Sequence, residues 1–171
     1  DMVILVEVGD APAAQLDRLL ADYPHRVSTP RIDRPTGAAR TVIASRWPIL
    51  RTIEDKPDGL HAIGAVIDSP LGPLNLVAVH LTRPWPYQYQ WGQITQVMAL
   101  TKLRAGLTGP VIVAGDFNEA DGQAVARLES SGFDGALQRY DHGTGATLAE
   151  SDRLSGAKSL VAGAEDATHF I

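Results

Sequence analysis

The chain has 171 residues, 44% hydrophobic and 20% charged, a globular composition at a length that makes one domain with its own core. It has no cysteine, which excludes a disulfide scaffold, a thiolate zinc site and a thiol nucleophile, and no apolar run reaches the roughly 20 residues that a membrane-spanning helix needs. The formal net charge is −5, so the body as a whole repels polyanions.

That charge is uneven. Arg26, Arg31, Arg34, Arg40, Arg46 and Arg51 stand against one acid, Asp33, between residues 26 and 51. A basic stretch on an acidic body suits a small phosphate or a single nucleic-acid contact. Solvated loop arginines are the plain alternative.

Asp1 runs directly into Met2–Val8, an apolar run of core-strand length closed by Gly9-Asp10. No basic leader segment or start methionine stands before it in this sequence, so no signal peptide is expected here and the sequence is expected to be a piece of a longer protein. Asp10 can cap a helix continuing from Ala13 to about Tyr23, with Leu16, Leu19 and Leu20 on one face. Residues 26–38, with Pro30, Pro35 and Gly37, read as loop. Thr41–Ser45 and Ile49–Ile53 are two short strands broken at Trp47-Pro48. His61–Asp68, the turn Ser69-Pro70-Leu71-Gly72 and Pro73–Leu81 form a hairpin, so the sheet is not wholly parallel. After a loop over 82–86, a helix from about Tyr87 to Leu107 carries Ile94, Val97, Met98, Thr101 and Leu103 as its apolar stripe. Gly109-Pro110 ends it. Val111–Ala114 is a further core strand that stops at Gly115, and residues 120–131 are helical. From Gly132 to Gly163 the periodicity is weak.

Three places carry polar groups that a purely structural strand avoids. Glu7 lies in the first apolar run, where a buried carboxylate is costly unless paired or metal-bound; an exposed strand end is the alternative. His80 closes the strand Leu74–Leu81, either as a hydrogen-bonded core histidine or as a functional one. Gly115-Asp116-Phe117-Asn118-Glu119 follows a core strand. Gly115 permits close approach of another group, and Asp116 and Asn118 project as hard oxygen ligands or phosphate contacts would. Ordinary turn chemistry is the alternative there.

Leu5-Val6-Glu7-Val8, Ala44-Ser45-Arg46-Trp47-Pro48-Ile49, Val79-His80-Leu81 and Ala114-Gly115-Asp116-Phe117-Asn118 occur in this order. Together they resemble the endonuclease/exonuclease/phosphatase superfamily, and small bacterial members most. Some of those follow membrane-spanning segments, so a longer, membrane-anchored parent is one origin the resemblance leaves open; it fixes no compartment. The resemblance implies a four-layer α/β/β/α sandwich with two packed mixed, largely antiparallel sheets. It also implies Mg²⁺- or Mn²⁺-dependent hydrolysis of a phosphate ester, a phosphodiester first; nucleic acid, nucleotide, inositol phosphate and phospholipid headgroup all remain open as substrate. By position Glu7 resembles the metal-binding glutamate, Asp116 the aspartate that positions or deprotonates the attacking water, Asn118 a catalytic phosphate contact, and His80 the histidine that hydrogen-bonds a phosphoryl oxygen.

Two departures stand beside the match. The family's first strand, which carries an asparagine beside the metal, has no counterpart, so residues 1–171 are expected to form a single domain lacking that strand. The C-terminal signature is irregular as well. The resemblance implies that Asp166 and His169 take the places of a metal-binding acid and the terminal catalytic histidine, with Asp166 displaced from the usual adjacent position; a surface histidine at a frayed end is the alternative for His169. Asp152 is preferred over Asp141 as the preceding catalytic aspartate. Arg46 and Arg83 are expected to bind substrate, with Trp85 flanking it, although Arg83 and Trp85 equally fit plain decoration of a loop rim; Gln93 and Gln96 are expected to pin the loop after His80. Tyr87, Tyr89 and Trp91 either stack a base or pack on the sheet. Two rivals to an enzyme remain: an impaired domain of the same fold that binds a phosphate ligand or a protein, and an unrelated α/β binding protein.

Overall fold

Three stretches of small and β-branched residues, Val42–Ser45, Ala62–Ile67 and Leu76–Val79, are almost wholly buried. A strand shows alternate side chains to opposite faces, so burial on both faces requires layers on each side. The computed structural model describes residues 2–9, 13–30, 32–34, 37–53, 60–83, 90–118 and 123–131.

Its elements in chain order are β1 (Met2–Leu5), α1 (Ala13–Leu19), β2 (His25–Ser28), β3 (Ile32–Arg34), β4 (Gly37–Ala39), β5 (Val42–Ser45), β6 (Ile49–Ile53), β7 (Ala62–Ser69), β8 (Gly72–His80), α2 (Gln90–Ala105), β9 (Val111–Asp116) and α3 (Gln123–Ser130). One sheet has the order β1-β5-β2, all antiparallel. The other has the order β6-β7-β8-β9, antiparallel except for the parallel pair β8 and β9. β3 and β4 form a small separate hairpin.

Two apolar clusters set the layering. Ile4 and Ile43 of the first sheet meet Ile63, Ala65, Ile67, Leu76, Ala78 and Ala114 of the second, which makes the inter-sheet core. The opposite face of the second sheet, with Ala62, Val66, Val77 and Val79, packs on Val97, Leu100 and Leu103 of α2 and on Ala124 and Leu128 of α3. α1 is fastened to the first sheet by Arg26 of β2. Its guanidinium donates to the carbonyls of Tyr23 (2.8 Å) and Leu20 and pairs with Asp17 at 2.6 Å. The fold is therefore an α/β sandwich of two packed, largely antiparallel sheets, as the sequence led us to expect.

Several local expectations change. The first strand ends at Leu5, short of Val8. Residues 26–38 are not simply loop, because they hold the end of β2 and the β3–β4 hairpin. β2 succeeds there despite little apolar periodicity because its backbone pairs along all four residues with β5. The break at Trp47-Pro48 is the crossing from one sheet to the other, with the Trp47 N–H donating to buried Ser45 Oγ at 3.0 Å. In α2 the buried side holds Gln93, Gln96 and Leu100, whereas Met98 is exposed. Leu19 is likewise exposed, and only Leu20 of the expected trio is deeply buried.

Candidate active site

β8 and β9 run parallel, and their last register pair is His80 with Asp116. Leu76, Ala78 and Ala114 of these strands face the inter-sheet core. By two-residue alternation, His80 and Asp116 extend the same face one step past the core, at the carboxyl ends of their strands. Glu7 reaches this point from the opposing sheet. His80 Nε2 lies 3.7 Å from Glu7 Oε1 and 3.8 Å from Asp116 Oδ2. Side-chain exposure falls from 57% at Glu7 to 12% at His80 and 14% at Asp116, so the cluster opens on the Glu7 side.

A local irregularity aims Glu7. Leu5 is the register partner of Val42, while Val8 exchanges both backbone hydrogen bonds with Arg40, at 2.9 and 3.1 Å. Val6 and Glu7 thus oppose the single residue Thr41, which is a β-bulge. Glu7 takes the left-handed conformation, φ 59°, which costs on the order of 1–3 kcal/mol in a residue with a side chain. The Val8–Arg40 pair holds that conformation in place.

Asp116 is equally constrained. Gly115 has φ 134°, and a Cβ there would lie 2.1 Å from the Val79 carbonyl oxygen. Only glycine lets β9 lie this close to β8 just before the aspartate. Asp116 Oδ1 accepts the Asn118 N–H at 2.7 Å, which leaves Oδ2 on the His80 side. Asn118, itself left-handed at φ 52°, donates through Nδ2 to the Leu81 carbonyl at 2.7 Å. Leu81 N–H in turn donates to the Asp116 carbonyl at 2.8 Å.

Helix α2 supports both strand ends from behind with two buried amides. Gln96 Oε1 accepts the Thr82 N–H at 2.7 Å, pinning the loop after His80. Gln93 Nε2 donates to the Phe117 carbonyl at 2.9 Å, pinning the loop after Asp116. Both amides were expected at the loop after His80; Gln96 is there, whereas Gln93 is one turn away and holds the loop after Asp116 instead.

The separations around His80 exceed hydrogen-bond length. Two carboxylates converging near one imidazole favour a cation. Among the described residues, no group of three or more His, Cys, Asp or Glu side chains is arranged to hold a metal ion. One exposed carboxylate, Glu7, fits the sparse protein shell typical of Mg²⁺, which keeps several waters.

The other sequence candidates are dispersed. Arg46 lies beyond the far end of β5, five residues and roughly 16 Å along the strand from Thr41. There its guanidinium stacks on the Tyr23 ring at 5.2 Å and approaches Asp22 at 3.8 Å, so the fold does not bring it to the cluster. Arg83 is exposed on the loop after β8, on the site side. Trp91 is 69% exposed rather than packed on the sheet. Trp85, Tyr87, Tyr89, Asp141, Asp152, Asp166 and His169 lie outside the described residues.

The two-sheet fold is shared by known structures. Over 77% of this chain it resembles the beta toxin of Staphylococcus aureus, with a TM-score of 0.58 and 16% identity over 57% of that chain. A double mutant of the same toxin with bound magnesium ions gives a TM-score of 0.54 at 15% identity, covering 77% of this chain and 57% of that one. Sphingomyelinase C from Streptomyces griseocarneus gives 0.54 at 22% identity, covering 77% and 56%. A 3′ phosphatase, NExo from Neisseria, bound to a product DNA hairpin gives 0.54 at 15%, covering 84% and 69%. The chain therefore spans little more than half the length of the toxin and the sphingomyelinase. No curated protein sequence matches it significantly. The family model for the Endonuclease/Exonuclease/phosphatase family matches residues 1–155. The chain belongs to that family.

Proposed function

We propose that this chain hydrolyses a phosphate ester, a phosphodiester before a monoester, with the help of a Mg²⁺ or Mn²⁺ ion. The observation that carries the reading is the convergence of Glu7, His80 and Asp116 from two sheets on one point. Family membership supports it, as do neighbours described as a sphingomyelinase, a phosphatase on DNA and a toxin with bound magnesium.

The reaction divides among the residues as their geometry suggests. A phosphodiester is anionic and repels an incoming hydroxide, so its oxygens need neutralising before attack. Glu7, the exposed carboxylate, would hold the cation; when bound, that ion supplies Lewis-acid neutralisation of a phosphoryl oxygen. Asp116 positions the attacking water and takes its proton through Oδ2, because Oδ1 is committed to Asn118. His80 donates from Nε2 to a phosphoryl oxygen. Asn118, fixed to Leu81 by one amide hydrogen, presents the other to the same group. Asp152 and His169 as catalytic residues, Asp166 as a metal ligand and Arg83 as a substrate contact complete the assignment on the strength of the resemblance.

The test is hydrolysis of an aryl phosphodiester and its matching monoester with Mg²⁺, Mn²⁺ or EDTA, beside an Asp116→Ala variant. Metal-dependent turnover that the variant lacks supports the reading, and the preferred ester names the substrate class. A folded chain inactive with every ion overturns it in favour of a domain that binds phosphate without cleaving it.

A further inference from the structure

His80 has a neighbour on its other side that the assignment above leaves unused. β7 and β8 pair with Ala62 opposite Val79 and Ile63 opposite Ala78. One step outward this register sets His61 opposite His80, and the His80 N–H donates to the His61 carbonyl at 3.1 Å. Ile63, Ala65 and Ile67 of β7 face the inter-sheet core. Alternation places His61 on that same face. Asp116, His80 and His61 thus form one row across β9, β8 and β7, with neighbouring members about 5 Å apart at Cβ in such a pairing.

Burial changes sharply at this position. Residues 62–67 are buried, whereas His61 is exposed, the first position past the core at the end where the site opens. Its backbone is not a frayed end. A tight turn from the Ala62 N–H to the Leu60 carbonyl at 3.1 Å fixes it, and Leu60 is itself buried in the helix-side cluster. An exposed imidazole on a hydrogen-bonded backbone, in line with His80, has donors to offer to an anion and no packing duty to perform.

We propose that His61 is a further substrate contact, a hydrogen-bond donor to the phosphate group one strand beyond His80. The inference rests on the phosphate-ester reading and deepens it. Substrate would lie across the row, with the reacting oxygen at Asp116, its phosphoryl oxygens at His80 and its outer side against His61. A contact of this kind binds ground state and transition state alike and so acts on KM.

Steady-state kinetics of His61→Ala and His61→Gln on an aryl phosphodiester test it. The expected result is a KM raised roughly tenfold in the alanine variant, the scale of a lost hydrogen bond to a charged group, with kcat little changed and part of the loss recovered in the glutamine variant. Unchanged KM, or a loss confined to kcat, overturns the proposal. Should the parent chain not turn over, the hydrolytic reading fails separately, and inorganic phosphate with Mg²⁺ becomes the probe, followed by histidine ring NMR signals assigned with His61→Ala and His80→Ala. Signals of His61 and His80 moving together support the contact even then. His80 moving without His61, or neither moving, overturns it.

Discussion

Glu7 and His80 belong to different sheets, yet the Glu7 carboxylate comes within 3.7 Å of the His80 imidazole. The contact joins the two halves of the sandwich at one end and depends on a bulge. If Val6 and Glu7 continued the β1 ladder, one residue would oppose each residue of the partner strand and Glu7 would be aimed elsewhere. The functional cluster is therefore a property of the packed pair of sheets.

Asp116→Ala is expected to lower metal-dependent turnover by about 10²–10⁴-fold, the usual contribution of a positioned base, while the chain stays folded. Single-turnover rates on the aryl diester with circular dichroism alongside check both halves. A variant within threefold of the parent would remove Asp116 from the reaction.

Glu7→Gln keeps size and bulge but halves the negative charge that two carboxylates bring to the site. The metal concentration giving half-maximal rate is expected to rise by about tenfold or more, with the maximal rate partly recovered at high Mn²⁺. Rate against metal concentration is the measurement, and an unchanged midpoint would place the ion elsewhere.

Gly115→Ala should be the most damaging single-methyl change near the site. The added carbon meets the Val79 carbonyl at 2.1 Å, and the backbone angle of 134° is hostile to any side chain. A loss of about 3 kcal/mol or more is expected, read as a lowered urea midpoint at unchanged m-value.

Gln93→Ala removes the donor to the Phe117 carbonyl. Leaving that acceptor unpaired costs about 1–3 kcal/mol, and the loop carrying Asn118 loses its support from α2. Urea unfolding and kcat should both fall, with KM affected less.

Arg46→Ala should leave turnover within about twofold of the parent, because the guanidinium lies against Tyr23 and Asp22 at the other end of β5. Its exposed ion pair contributes at most about 1 kcal/mol. Kinetics on the diester decide it; a large KM increase would show that substrate reaches that end.

Local sequence determined the elements with strong periodicity or punctuation. The β7–β8 hairpin follows from two apolar runs around Ser69-Pro70-Leu71-Gly72, α2 from a long periodic stretch that closes at Ala105 ahead of Gly109-Pro110, and β9 from four aliphatic residues before Gly115. Glu7, His80 and Asp116 stood out because each interrupts or ends an apolar strand, which local chemistry alone makes costly. Tertiary structure decided the rest. β2 exists because β5 offers it hydrogen bonds, Met98 is exposed because Gln93 and Gln96 have loops to hold, and the bulge at Glu7 arises from pairing with Arg40. Arg46 is carried to the other end of β5 for the same reason. A strand's sequence states which side chains share a face, but register against neighbouring strands sets which end of the sheet each one reaches.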